Sequence, residues 1–167
     1  KVIYGKYSGT PFQLGDDDLF RVFDHCRDRG VLPLCTPWDL HSLDRLETVD
    51  LPAYKIASAD LTNHELIEAA CGTGRPLVLS TGMSTEDEIV ETVHLLQGRG
   101  APFAVLHCNS SYPAPFHDVN LAYMDRLTEL GDFPVGYSGH ERGISVAVGA
   151  VARGAQLTEK HPTLDRD

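Results

Sequence analysis

Polar and ionisable side chains lie at the ends of the apolar, β-rich runs of this sequence. One lysine, Lys55, lies inside such a run, AYKIAS (53–58). A buried ammonium group is costly unless a counter-charge accompanies it, so Lys55 is a candidate for binding an anionic ligand. The polar residues that end the runs are Thr36, Ser58, Asp60, Ser80, Thr81, Asn109, Ser110, Ser138, His140 and His161.

Two histidines, His140 and His161, end the last two runs of the chain. If these runs are neighbouring strands, the two imidazoles can bind a divalent cation and leave positions open for water and a substrate oxygen. Two histidines alone are a weak ligand set. We interpret His107, which lies within a run, as a hydrogen-bonded core histidine with at most a supporting role. The remaining histidines fall on predicted helices or loops and are expected to be structural: His25, His41, His64, His94 and His117.

The apolar runs alternate regularly with helical patterns. The predicted strands are 31–36, 53–58, 76–81, 103–108, 133–138 and 155–161, and the predicted helices are 16–29, 39–48, 63–72, 85–98, 119–130 and 142–153. A strand followed by a helix, six times in succession, predicts parallel strands with helical crossovers. Thr62 with Glu65, and Thr85 with Glu88, predict capping boxes at two helix starts.

Two architectures satisfy this order of elements, a doubly wound open sheet and a (β/α)8 barrel. An open sheet predicts a glycine-rich phosphate loop after a strand, but the glycines of CGTGRP (71–76) fall at a helix end. In a barrel the carboxyl ends of all strands meet at one mouth, so polar residues at all six strand ends favour the barrel. The sequence therefore predicts an α/β fold, an incomplete TIM (β/α)8-type barrel of about six units in one domain over residues 1–167.

Composition excludes several classes of function. The net charge of −10 and the pI near 5.1 argue against a nucleic-acid or anionic-membrane surface, since both bind broad basic patches. No stretch reaches the roughly 20 apolar residues of a membrane span, and no secretory leader is recognised. The cysteines lack CxxC spacing and are interpreted as reduced and buried in a cytoplasmic protein; they are Cys26, Cys35, Cys71 and Cys108.

Five ordered motifs resemble the sialic acid synthase family, which includes N-acetylneuraminate, legionaminate, pseudaminate and spore-coat polysaccharide synthases. The motifs are KIAS.D (55–60), LSTGM (79–83), LHC.S.YPAP (106–115), GYSGH (136–140) and TEKH (158–161). The resemblance extends from about Pro33 to the C terminus. It implies barrel strands three to eight, with two N-terminal strands and any C-terminal antifreeze-like domain outside this chain. It also implies a homodimer when the protein is complete, and little turnover by these 167 residues alone.

The resemblance implies the condensation of phosphoenolpyruvate with the open-chain aldehyde of an N-acylated hexosamine such as N-acetylmannosamine, with release of phosphate. Lys55 then binds the phosphoenolpyruvate anion, and His140 and His161 bind manganese or magnesium. Asp60, where family members commonly have glutamate, is the candidate for proton transfer, and Tyr112 faces the sugar. The remaining substrate-binding candidates are Thr36, Ser58, Ser80, Asn109, Ser110 and Ser138.

Four alternatives remain open from the residues themselves. Lys55 could be a structural ion-pair partner of Glu159, whose alternation with His161 places both on one strand face. Lys55 could instead be the nucleophile of a Schiff-base aldolase. The chain could also be a barrel relative that binds a sugar or a protein partner without turnover, and YPAP could be a rigid turn in which Tyr112 covers an apolar edge.

Overall fold

A single parallel sheet forms the centre of the molecule. The computed structural model describes residues 2–4 and 14–162. Within them, seven strands pair in chain order, each parallel to the next. The strands are β1 (Val2–Tyr4), β2 (Cys35–Pro37), β3 (Tyr54–Ile56), β4 (Leu77–Ser80), β5 (Phe103–Cys108), β6 (Val135–Gly139) and β7 (Thr158–Lys160). The six predicted strands and their parallel order are confirmed, and β1 is an additional strand that the sequence did not predict.

A helix follows each strand from β2 to β6, and one helix precedes β2. The helices are α1 (Asp16–Asp28), α2 (Leu40–Leu46), α3 (His64–Gly72), α4 (Glu86–Arg99), α5 (Tyr123–Thr128) and α6 (Ser145–Ala152). The capping box of Thr85 and Glu88 is confirmed at the start of α4. The box predicted for Thr62 is wrong, because the Asn63 side chain accepts the hydrogen bond from the backbone N–H of Leu66.

The sheet curls strongly, as a barrel wall does. Lys55 on β3 and Glu159 on β7 lie four strands apart in the sheet order, which is about 19 Å in a flat sheet. Yet Lys55 Nζ lies 3.7 Å from Glu159 Oε2. Two side chains cannot span that gap, so the strands between them must bend around a common interior. The curl brings the carboxyl ends of β2 to β7 toward one another.

The hydrophobic core lies between the outer face of the sheet and the surrounding helices. Outward-pointing strand residues are almost fully buried, among them Tyr54, Ile56, Leu77, Leu79, Val105 and Tyr137. They belong to one cluster with apolar helix residues that include Leu19, Phe23, Ile67 and Leu127. Because strand side chains alternate between faces, Lys55 and Ser80 point to the concave inner face instead. Among the described residues, no helix is both long and apolar enough to cross a membrane.

Gly136 of β6 is required by close contact with the neighbouring strand. A Cβ atom at this position would lie 2.3 Å from the Leu157 carbonyl oxygen and 2.7 Å from Leu106 Cδ2. Gly136→Ala should therefore lower the free energy of unfolding by roughly 1–3 kcal/mol, since the β7 backbone must move. Gly98→Ala in α4 is the control: a Cβ there contacts nothing within 4 Å. Chemical denaturation of both variants measures the difference, and equal stabilities would contradict the assignment.

Candidate active site

The carboxyl ends of six strands line one cavity of about 320 Å³, which we call the strand-end cavity. Seven of the predicted site residues line it: Ser58, Ser80, Ser110, Tyr112, Ser138, His140 and His161. Its wall also includes Trp38, Met83, Cys108 and Glu159. A larger cavity of about 440 Å³ opens beside the amino ends of β4 to β6, where prolines and apolar side chains form most of the wall. We assign the chemistry to the strand-end cavity, because it combines hydroxyl, carboxylate and imidazole groups.

Lys55 does not line the strand-end cavity itself but lies next to it, in the wall of a neighbouring cavity of about 350 Å³ that also includes Glu159. Its side chain is buried, and Nζ donates to Ser80 Oγ at 2.7 Å and to the Ile56 carbonyl at 2.8 Å. The Glu159 carboxylate, 3.7 Å away, supplies a counter-charge. The ion pair of Lys55 with Glu159, which the sequence left open as a structural role for Lys55, is therefore present. It does not exclude ligand binding, because both Ser80 and Glu159 border the cavity and a bound anion would lie next to the ammonium group.

The serine hydroxyls of the cavity are held by neighbouring strand ends. Ser58 Oγ accepts a hydrogen bond from the backbone N–H of Gly82 at 3.0 Å, which ties the β3 exit to the β4 exit. Ser138 Oγ donates to Glu159 Oε1 at 3.2 Å. Fixed hydroxyl groups of this kind suit the oxygens of a phosphate or carboxylate, because they need no reorientation when the ligand arrives.

His140 is oriented by a backbone carbonyl. Its Nδ1 lies 2.6 Å from the Asn109 carbonyl oxygen, and a carbonyl can only accept, so Nδ1 carries the proton. In the neutral imidazole Nε2 then has the lone pair, which accepts from the Tyr112 hydroxyl at 2.7 Å. Burial, followed by the charges of Cys108 and Glu159, raises the pKa of Tyr112, so its phenol remains the donor. A histidine whose other nitrogen bonds to a carbonyl has the arrangement usual for a metal ligand.

The second histidine completes a pair. The ring centres of His140 and His161 lie 5.3 Å apart. One metal ion about 2.1 Å from a nitrogen of each ring would place the ring centres roughly 4.5–5.5 Å apart, so the pair fits a divalent cation. No three histidine, cysteine, aspartate or glutamate side chains within the described ranges form a larger ligand group. The metal site therefore stays a prediction.

The loop that follows β5 is anchored by two residues of its own strand end. Asn109 Nδ2 donates to the Asp118 carbonyl at 3.1 Å, and its Oδ1 accepts from the Ser111 N–H at 2.9 Å. Asn109 does not line the strand-end cavity, and these two bonds of its amide lie within the loop, so its contact with substrate stays a prediction. His107 Nε2 lies 2.6 Å from the Val119 carbonyl, and burial lowers the pKa of this imidazole. His107 is therefore a neutral core histidine, as predicted, and supports the loop that positions Tyr112.

Two other predicted residues do not line the strand-end cavity. Strand β3 ends at Ile56, and a short 3-10 turn over Ser58–Asp60 directs Asp60 toward helix α3. Its Oδ1 there accepts from Asn63 Nδ2 at 3.4 Å. The expected role of Asp60 in proton transfer is thus not supported by its position. Thr36 is fully buried within β2, and Trp38, two residues later, lines the cavity in its place.

The carboxylate on the cavity wall is Glu159, which sequence reasoning treated only as an ion-pair partner. The signal for it was present, because Glu159 and His161 alternate onto one face of β7. Cys108 was interpreted only as a core residue, but its Sγ lies 3.8 Å from His140 Nδ1 at the cavity wall. Met83 ends the LSTGM motif but was given no role, since it follows β4 in a loop whose course depends on tertiary contacts.

Comparison with known proteins indicates the family. The model of the NeuB family matches residues 8–167. The N,N'-diacetyllegionaminic acid synthase of Campylobacter jejuni is 40% identical over 146 residues, which are 86% of this chain and 44% of that protein. The N-acetylneuraminate-9-phosphate synthase of Homo sapiens is 34% identical over 164 residues, which are 98% of this chain and 45% of that protein.

A solved structure has the same fold. The N-acetylneuraminic acid (sialic acid) synthetase from Leptospira borgpetersenii, solved in complex with citrate, has a TM-score of 0.88 and 36% identity. The match covers 92% of this chain and 54% of that chain. The present chain spans less than half the length of the curated relatives named above.

Proposed function

The chain belongs to the NeuB family, and on this premise we propose that it carries the catalytic barrel of a nonulosonic acid synthase. The reaction condenses phosphoenolpyruvate with the open-chain aldehyde of an N-acylated hexosamine such as N-acetylmannosamine. C3 of phosphoenolpyruvate bonds to the aldehyde carbon, one water is consumed and phosphate is released. The observation that carries the proposal is the convergence of serine hydroxyls, a carboxylate and two histidines on one cavity next to a buried lysine.

Lys55 and the serines form the proposed phosphoenolpyruvate site. The substrate brings a phosphate and a carboxylate into a chain with a net charge of −10, so local donors must bind it. Lys55 supplies a positive charge in a buried position, where charge-assisted hydrogen bonds are strong. Ser58 and Ser80 line the same space and add neutral donors, because their hydroxyls accept from Gly82 N–H and Lys55 Nζ and keep their own hydrogens, whereas Ser138 donates to Glu159.

His140 and His161 form the proposed site for manganese or magnesium, and a bound ion supplies a Lewis acid for the aldehyde oxygen, which gains negative charge as the carbon–carbon bond forms. The protein's own contribution is orientation. The Asn109 carbonyl fixes the tautomer of His140. A metal ion bound at His140 Nε2 would replace the hydrogen bond from the Tyr112 hydroxyl, and that hydroxyl would then be placed to donate to a hydroxyl of the sugar.

Glu159 takes the acid–base role that we had expected of Asp60. Its carboxylate borders the cavity, accepts from Ser138 and lies beside the Lys55 ammonium group. A carboxylate in this position can orient the water that is consumed, or accept its proton.

Phosphate release tests the function. The product of the complete open reading frame, with manganese, phosphoenolpyruvate and N-acetylmannosamine, should release phosphate and form a nine-carbon 2-keto acid in equal amounts. Omitting the sugar is the control and should stop phosphate release. The proposal would be contradicted if phosphate is released without a sugar. It would also be contradicted if no N-acylated hexosamine supports phosphate release.

A Schiff-base aldolase is disfavoured by the surroundings of Lys55. Its Nζ donates two short hydrogen bonds and lies beside a carboxylate, so the nitrogen is engaged by protein groups, whereas a Schiff-base lysine needs its lone pair free to attack a ketone. Borohydride reduction in the presence of pyruvate should leave Lys55 unmodified. A pyruvyl adduct on Lys55, detected by mass spectrometry, would establish the aldolase instead.

A further inference from the structure

The ends of β6 and β7 are joined behind the candidate site by a buried polar cluster, Tyr137, Glu141 and Lys160, which we call the β6–β7 clamp. The Glu141 side chain is fully buried. Its Oε2 accepts from the Tyr137 hydroxyl at 2.6 Å, and Oε1 contacts Lys160 Nζ. Lys160 Nζ also donates to the Glu141 carbonyl oxygen at 2.6 Å. These bonds join Glu141, which lies beyond the last paired residue of β6, to Lys160 in the last pair of the two strands.

The clamp lies next to both histidines in the chain. Glu141 directly follows His140, and Lys160 directly precedes His161. Side chains alternate along β7, so Lys160 points to the outer face of the sheet while Glu159 points to the inner face. The clamp therefore acts from outside the cavity and has no position from which to contact the substrate.

Gly139 makes room for the clamp. A Cβ atom at Gly139 would lie 2.6 Å from Glu141 Oε2 and 2.7 Å from Tyr137 Cε1. The carboxylate therefore packs against the backbone of the residue that immediately precedes His140. Gly139 is paired with Lys160 in the sheet register, so the carboxylate and the ammonium group meet where β6 and β7 end.

We propose that Tyr137, Glu141 and Lys160 are positioning residues that fix the distance and orientation between His140 and His161. The inference rests on the proposed function, in which these two imidazoles bind a divalent cation. With two protein ligands, metal affinity depends strongly on how well the ligands are pre-positioned. Strand β7 spans only Thr158–Lys160, so its hydrogen bonds to β6 alone leave the His161 position weakly fixed. The link from Lys160 to Glu141 extends the connection to the residue after His140.

The molecule contains a matched cluster of the same chemistry away from the site. Tyr54, also fully buried, donates its hydroxyl to Glu47, and Arg75 binds Glu47 at 3.2 Å and donates to the Leu51 carbonyl. Tyr54 begins β3 and Arg75 precedes β4, so this cluster lies at the amino ends of the strands. In barrel enzymes that end contributes to stability, whereas the carboxyl end carries the chemistry.

The experiment compares the two clusters in the product of the complete open reading frame. Tyr137→Phe and Lys160→Met alter the clamp, and Tyr54→Phe and Arg75→Met are the matched controls. Mn²⁺ binding is measured without substrate, by electron paramagnetic resonance of the unbound ion, and thermal unfolding is recorded for each variant. We expect similar losses of Tm within each matched pair. Mn²⁺ affinity should fall roughly 10–100-fold in the clamp variants and change less than about twofold in the controls.

Conservative replacements separate positioning from folding. Lys160→Arg keeps a donor for the carboxylate and should restore most of the Mn²⁺ affinity that Lys160→Met loses. If Lys160→Met does not fold, the Mn²⁺ affinity of Tyr137→Phe tests the inference, because this variant removes only one hydroxyl and keeps the ring. Unchanged Mn²⁺ affinity in folded clamp variants would overturn the inference and leave the proposed function intact. A wild-type protein that binds no Mn²⁺ would overturn the metal site as well.

Discussion

Alanine at His140 or His161 should lower the turnover of phosphoenolpyruvate and N-acetylmannosamine at least about 100-fold, which corresponds to roughly 2.7 kcal/mol or more of lost transition-state stabilisation. The reason is the size of the ligand set. The centres of the two rings lie 5.3 Å apart, and the rings form the proposed metal site. Removing either ring therefore leaves a single protein ligand. The measurement is activity after chelation, followed by titration with Mn²⁺.

His117→Ala is the matched control for the histidine variants. His117 belongs to the same stretch between β5 and α5 as Tyr112, but its side chain is 82% exposed, and it does not line the strand-end cavity. Its removal should leave the rate and the Mn²⁺ dependence unchanged. If chelation leaves the wild-type activity intact, or if both histidine variants keep normal metal-dependent rates, the two imidazoles are not the metal site.

The strand order and the convergence of the strand ends were predictable, because they depend on local periodicity. Strands with helices between them form parallel sheets, and parallel strands share a carboxyl end. Strand β1 (Val2–Tyr4) was missed because its apolar run is only three residues long, between Lys1 and Gly5, whereas the runs that predicted the other strands have six or seven residues. The start of α3 was misplaced because Thr62 and Asn63 are both good caps, and the choice depends on where the preceding 3-10 turn ends.

The errors within the site come from side-chain direction. Asp60 was assigned its role from the family resemblance, but it does not line the cavity, because the strand ends at Ile56 and Asp60 lies in the 3-10 turn that leads to α3. Asn109 was recognised as polar, and its use by the loop backbone depends on contacts with residue 118. The β6–β7 clamp joins residues 19 apart in sequence, and no local pattern indicates that pairing.

Lys55→Met should weaken phosphoenolpyruvate binding roughly 10–150-fold, since a hydrogen bond to a charged group is worth about 1.5–3 kcal/mol. Methionine keeps the length of the side chain, so the change removes the charge and not the packing. Calorimetry on the product of the complete open reading frame should show this loss for phosphoenolpyruvate. Binding of N-acetylmannosamine in the presence of Mn²⁺ should change little, because the sugar is assigned to the side of Tyr112 and the histidines.

Lys55→Met could weaken phosphoenolpyruvate binding for a second reason, the charge left on Glu159. The double variant Lys55→Met with Glu159→Gln removes that charge. Taking away Lys55 leaves the Glu159 carboxylate without its neighbouring ammonium group, at 3.7 Å, and an uncompensated carboxylate both destabilises the fold and repels an anion. In the double variant that repulsion is absent, so stability should recover while phosphoenolpyruvate affinity stays low. If the affinity for phosphoenolpyruvate also recovers in the double variant, Lys55 neutralises Glu159 and does not bind the substrate. Lys55 would then be the structural ion-pair partner that the sequence left open as an alternative.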